Sequence, residues 1–178
     1  MPSSNRFPPI KPSDLTPEQE EAHDHMSTVA SKFFGDTSVH PFLLYPHQTH
    51  LLHSFTYKNS DGAFIGPFAP LLYTPSLCKP YFDLVEALTK ISSSNLPAVA
   101  RETAILATGS RYESAYEIYA HERVALKSTS LTREQIGQIK SGGKPEGLGE
   151  EASVAFDATM DLVGGKGNLG CMLILVCC

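Results

Sequence analysis

The sequence predicts an all-α protein. Two observations carry this. Apolar residues recur at helical spacing in segment after segment, bounded by capping residues, glycine or proline. No segment shows the alternating apolar and polar pattern of a half-buried strand. At 178 residues, with 42% hydrophobic and 19% charged, the chain has the size and composition of one well-packed domain rather than two.

The elements follow in order. Residues 1–14 are rich in Pro and Ser and read as a flexible arm. The first helix spans 16-TPEQEEAHDHMSTVASKFFG-35. Thr16 can cap it, Pro17 suits the first helical position, and acids fill the first turn. Ala22, Met26, Val29, Ala30 and Phe33 form its apolar stripe, and Gly35 ends it. Residues 36–74 hold Pro, Gly and aromatics without a sustained period, so a long ordered loop with one short helical turn is expected, walling a pocket. The next helix is 76–92, with Leu84, Val85, Leu88 and Ile91 on its inner face. A short apolar helix covers 98–109, and Gly109-Ser110 breaks it from a helix over 112–128. A capped helix over 130–142, with Thr132 and Gln135 as a capping box, precedes an amphipathic helix over 149–165. Ala152, Ala155, Phe156, Met160 and Val163 form the stripe of that last helix.

Charge and composition exclude several functions. A net charge of −5 and the lack of any Lys/Arg run argue against a nucleic-acid or anionic-membrane partner. No stretch reaches the ~18 apolar residues of a membrane span. The N-terminus lacks the apolar core of a secretory signal, so a cytoplasmic protein is expected. The four cysteines are Cys78, Cys171, Cys177 and Cys178; no C-x-x-C pair occurs, and reduced thiols are expected. His40, His47, His50 and His53 cluster in the long loop without a metal-binding context, so no metal is expected. The Gly-rich pieces 142–150 and 164–170 neither follow a strand nor open a phosphate-binding helix, and read as turns.

The residues with chemical potential lie in 112-YESAYEIYAHERVAL-126. Glu117 and His121 are one helical turn apart on one face, with Ser114 a turn earlier. A carboxylate and an imidazole in a partly buried setting can share a proton and act as an acid–base pair. The same spacing also describes an ordinary surface pair, and spacing alone leaves the two readings even. Glu102 lies in the apolar run 98-AVARETAILAT-108, where a salt bridge to Arg101, Arg111 or Arg123 would explain it. Tyr112, Tyr116 and Tyr119 lie on the same predicted helix as the pair; their hydroxyls suit an oxygen-rich substrate, and their rings suit a core.

The order Arg101-Glu102-x-x-Ile105-Leu106, Tyr116-Glu117-x-x-x-His121, Ala125 and 131-LTREQIGQI-139, together with 61-DGAFIGPFAPLLYTP-75, resembles the carboxymuconolactone decarboxylase family. That superfamily includes the AhpD-like alkylhydroperoxidases. The resemblance covers about residues 15–165, taken as the domain, with 166–178 as an atypical tail. It implies an AhpD-like helical bundle that assembles into homo-oligomers, trimers or hexamers. In the peroxidase branch a C-x-x-C pair precedes the histidine; the matching positions here are Ser114 and Glu117. The relay glutamate of that branch falls on Glu102. Lacking both thiols, the chain has no nucleophile for peroxide reduction, and thiol peroxidase activity is disfavoured.

The decarboxylase branch, with a glutamate four residues before the histidine, implies a cofactor-free lyase or isomerase acting on a small lactone, oxo acid or polyketide-like substrate. His121, Glu117 and Glu102 are then the catalytic candidates, and Tyr116, Tyr112 and Ser114 the substrate-binding candidates. The tail 167-GNLGCMLILVCC-178 departs from the family pattern, as does 46-PHQTHLLH-53. The tail motivates the alternative expectation of a non-catalytic or inactive oligomeric module.

Overall fold

The computed structural model describes residues 7–34 and 55–164, apart from the side chains of residues 33, 34, 93 and 94. The four loop histidines, the C-terminal tail and its three cysteines lie outside the described residues. Among those described, every regular element is helical, and one isolated antiparallel bridge joins Lys58 and Phe64. The fold is all-α. No helix among them is long and apolar enough to cross a membrane. The chain divides into two compact units, Met1–Lys90 and Ile91–Cys178.

In the first unit α1 (Pro17–Phe34) starts at a reciprocal cap. The Thr16 amide donates to Gln19 Oε1 (3.0 Å), and the Gln19 amide donates to Thr16 Oγ1 (3.4 Å). Of the expected stripe, Ala22, Met26 and Ala30 are buried. Gln19 also donates through Nε2 to the Leu72 carbonyl at 2.8 Å, tying α1 to a 3₁₀ segment, Gly66–Tyr73. The aromatic loop supplies this unit's core. Phe64 lies between Tyr57 and Phe68, with centroids 6.1 and 5.9 Å away, and Phe68 stacks on Phe82 at 6.2 Å. The described part of the expected flexible arm is packed: Phe7 meets the Tyr73 ring at 5.2 Å, and the Tyr73 hydroxyl donates to the Pro8 carbonyl at 2.7 Å.

The helix α2 (Pro75–Asn95) corrects one expectation. Its buried positions are Cys78 and Phe82, whereas Leu84, Leu88 and Ile91 of the expected inner face are 58%, 55% and 60% exposed. Periodicity finds an apolar face but cannot rank two of them. Phe82 meets the aromatic loop core, and that pairing turns the leucine face outward. Cys78 donates to the Ala22 carbonyl at 3.5 Å, and burial pushes its thiol up to about 11. It stays protonated at neutral pH and is a poor nucleophile.

The second unit is built around α3 (Ala98–Arg111), which packs against α4 (Ala115–Ser128), α5 (Arg133–Lys140) and α6 (Glu150–Gly164). Leu106, Ala107, Ala125, Leu131, Ile136, Ile139 and Phe156 form its core. The capping box at Thr132 and Gln135 forms as expected. The Ser110 hydroxyl donates to the Lys140 carbonyl at 2.9 Å and ties α3 to the end of α5.

The boundary between α3 and α4 differs from the sequence reading. The helix runs through Gly109 to Arg111, and the turn is Tyr112–Ser114, with Glu113 at φ 55°. Gly109 is a close-approach residue instead of a breaker. A Cβ there would lie 3.3 Å from Ile118 Cγ1 and 3.7 Å from Glu117 Cβ. Gly109→Val is therefore expected to destabilise the protein by about 1–3 kcal/mol through overpacking, more than the helix propensity that replacing glycine returns. Thermal denaturation checks this; an unchanged midpoint would mean that α4 yields freely.

Candidate active site

Two helices of the second unit supply the site, and local geometry explains the meeting. Glu102, Leu106 and Gly109 are spaced by four and three residues and share one face of α3. Gly109 lets the first turn of α4 come close, at Glu117 and Ile118. The two helices run antiparallel about the Tyr112–Ser114 turn. Two turns back along α3, Glu102 then faces His121, one turn further along α4.

His121 Nδ1 is 2.7 Å from Glu102 Oε2. The Glu102 side chain is buried, at 2% exposure, while that of His121 is 26% exposed. Arg101 donates through Nε to the other Glu102 oxygen at 3.2 Å. Arg101 therefore fulfils the salt-bridge reading of Glu102 and the histidine pairing holds at the same time, so the two sequence readings are not alternatives. Arg123 is engaged elsewhere: its guanidinium lies 3.9 Å from the Tyr119 ring centroid, and Nη1 donates to the Tyr119 carbonyl.

On its other side, His121 Nε2 is 3.6 Å from Glu117 Oε2. That is longer than a direct hydrogen bond and within range of charge pairing. Glu117 is the most accessible member of the group, with 40% of its side chain exposed. With a neutral imidazole, Nδ1–H donates to the Glu102 carboxylate, which accepts only, and Nε2 carries no hydrogen on the side of the half-exposed Glu117. With a protonated ring, both nitrogens face carboxylates and Nε2 carries a transferable proton. Imidazole and carboxylates can therefore exchange a proton with a molecule arriving at the Nε2 side.

Tyr116 is half-buried beside this group. Burial, then the neighbouring Tyr119, then Glu117, push its phenol well above its ordinary range. It stays a hydroxyl that can donate a hydrogen bond, as a substrate-binding residue would need. Tyr112 does not belong with it: it caps the end of α3, lies off α4 and is 66% exposed. The physical reason is the continuation of α3 through Gly109, which moves the turn three residues along. Ser114 takes the N-cap position of α4 without a side-chain capping bond. Of the three arginines that the sequence offers as partners of Glu102, Arg101 is the one that pairs with it, although neighbours in a helix point about 100° apart.

Among the described residues, no group of three or more His, Cys, Asp or Glu is placed to hold a metal ion. Compared with known proteins, the chain matches no protein-family model, no curated protein and no solved structure.

Proposed function

We propose that this protein is a cofactor-free lyase or isomerase, of the carboxymuconolactone decarboxylase kind, that works by acid–base chemistry on a small lactone, oxo acid or polyketide-like substrate. One observation carries the reading: an imidazole, 26% exposed, held through Nδ1 by a buried carboxylate, with a second carboxylate, 40% exposed, 3.6 Å from its Nε2. A surface salt bridge has no need of the buried partner. A general acid–base needs a fixed tautomer and one open nitrogen, and both features fit.

In a decarboxylation, the bond between the substrate carbon and its carboxylate breaks and CO₂ leaves. The electron pair enters the conjugated lactone as a dienolate. Protonated His121 delivers a proton from Nε2 to carbon, and Glu117 relays a replacement from solvent. In an isomerisation, neutral His121 takes a proton from one carbon and returns it to another. Glu102 holds the ring and balances its charge in both cases. Arg101, whose side chain is 28% exposed, is ion-paired to this group through Glu102 and carries further N–H donors that suit a substrate carboxylate. Tyr116 would donate to a substrate oxygen.

The test is a panel of lactone acids and β-oxo acids, incubated with the protein in D₂O and followed by NMR. The expected result is product carrying deuterium at the carbon that was protonated. Neither turnover nor deuterium exchange in any panel member would sink the proposal.

A further inference from the structure

An ion pair can fix one helix against another only where its own ends are held. One pair in the second unit meets that condition. Lys140 is the last residue of α5, and Glu122 follows His121 on α4. Lys140 Nζ donates to Glu122 Oε2 at 2.7 Å, with the two side chains 38% and 27% exposed. The carbonyl of the same lysine accepts from Ser110 Oγ, near the end of α3, at 2.9 Å. Lys140 thus holds α4 with its side chain and α3 with its backbone.

Local sequence explains why Lys140 is a firm post. The last carbonyls of a helix have no partner within it, and Ser110 supplies one here. Ile139, the preceding residue, is fully buried. Gly142, at φ 81°, turns the chain so that its amide reaches the Ile139 carbonyl at 2.9 Å and the Gly143 amide reaches the Gln138 carbonyl at 3.0 Å. The lysine stem therefore starts from a fixed point. That lowers the ordering cost that cancels most surface ion pairs.

The consequence falls on His121. Its Nδ1 meets Glu102 Oε2 at 2.7 Å across the two helices. Gly109 sets how closely the first turn of α4 approaches α3. Glu122, one residue beyond His121, is where the Lys140 pair resists rotation of α4. Side-chain tips lie about 5–6 Å from a helix axis, so a rotation of about 10° would move the ring by about 1 Å. A shift of that size takes a hydrogen bond out of range.

We infer that Lys140, acting through Glu122, is a positioning residue that sets the rotation of α4 and so keeps His121 on Glu102. Its effect on turnover rests on the acid–base reading; its effect on the ring rests on geometry alone.

The test reads the downfield Nδ1–H proton of His121 by NMR, in the full chain without substrate, assigned by its loss in His121→Gln. Turnover of the responsive substrate is measured beside it. Lys140→Met keeps most of the stem and removes the charge. It is expected to speed exchange of that proton with water by about fivefold, the ceiling that a partly exposed ion pair sets, and to lower kcat by a similar factor with KM unchanged. Glu122→Gln should do the same, and takes its place if Lys140→Met fails to fold. Lys140→Arg keeps a cation and should retain wild-type values. Lys144→Met breaks the separate Lys144–Asp157 pair of the same unit and should change neither readout. Unchanged exchange in Lys140→Met and Glu122→Gln would overturn the inference, as would an equal effect of Lys144→Met or a wild-type ring without the Nδ1–H signal. Faster exchange in these variants, beside a wild type that turns over no substrate, would support the positioning and sink only the acid–base reading.

Discussion

His121→Gln is expected to lower turnover of the responsive substrate by about 10²–10⁴-fold, the usual contribution of a positioned general acid–base. Its effect on stability should be small. Glutamine keeps an N–H donor that can reach Glu102, so the buried carboxylate retains a second partner beside Arg101, and the cost should stay within about 1–2 kcal/mol. The substitution thus separates chemistry from folding. An amide cannot cycle a proton, whereas it can hold a hydrogen bond. His121→Ala is the harsher control: it leaves Glu102 with Arg101 alone and is expected to lower both activity and the denaturation midpoint. If His121→Gln turns over substrate at the wild-type rate, His121 is a structural partner of Glu102 and the acid–base role fails. Glu117→Gln should cost less, because at 40% exposure solvent can replace a relay.

Much of this arrangement was legible in the chain before any coordinate. The helix caps at Thr16 and Thr132 were readable because they depend on residues three apart. Glu117 and His121 were placed on one face by helical spacing alone. What spacing could not supply was the partner across helices. Glu102 and His121 are nineteen residues apart in the chain, and they meet because Gly109 has no side chain to hold α4 away. Read locally, that glycine is a helix breaker; read in three dimensions, it is a contact. The misplacement of Tyr112 follows from the same ambiguity. The outward turn of Leu84, Leu88 and Ile91 has a different origin. Two apolar faces on α2 compete for one core, and the winner is set by aromatic residues distant in sequence.

Glu102 is where stability and chemistry meet, and two substitutions there should separate them. Glu102→Ala removes a buried carboxylate that receives Arg101 Nε and His121 Nδ1. Breaking a wholly buried ion pair costs about 3–5 kcal/mol. Here both partners retain access to water, at 28% and 26% exposure, so about 2–3 kcal/mol is expected, measured as a fall in denaturation midpoint. Glu102→Gln preserves volume and creates a directional conflict. If the amide oxygen faces His121, the amide nitrogen meets the Arg101 N–H, donor against donor. If it faces Arg101, the amide donates to Nδ1 and forces the hydrogen onto Nε2, so the accessible nitrogen can no longer take a proton. The second arrangement leaves the stronger charge-assisted bond intact and should prevail. Activity of Glu102→Gln is then expected to drop at least about tenfold with a stability cost of only about 1 kcal/mol, and ¹⁵N NMR of the imidazole should report the exchanged tautomer. That readout separates a positioning role from a structural one. Full activity together with an Nδ1–H ring would mean that Glu102 is a satisfied core acid whose only task is to hold α3 against α4.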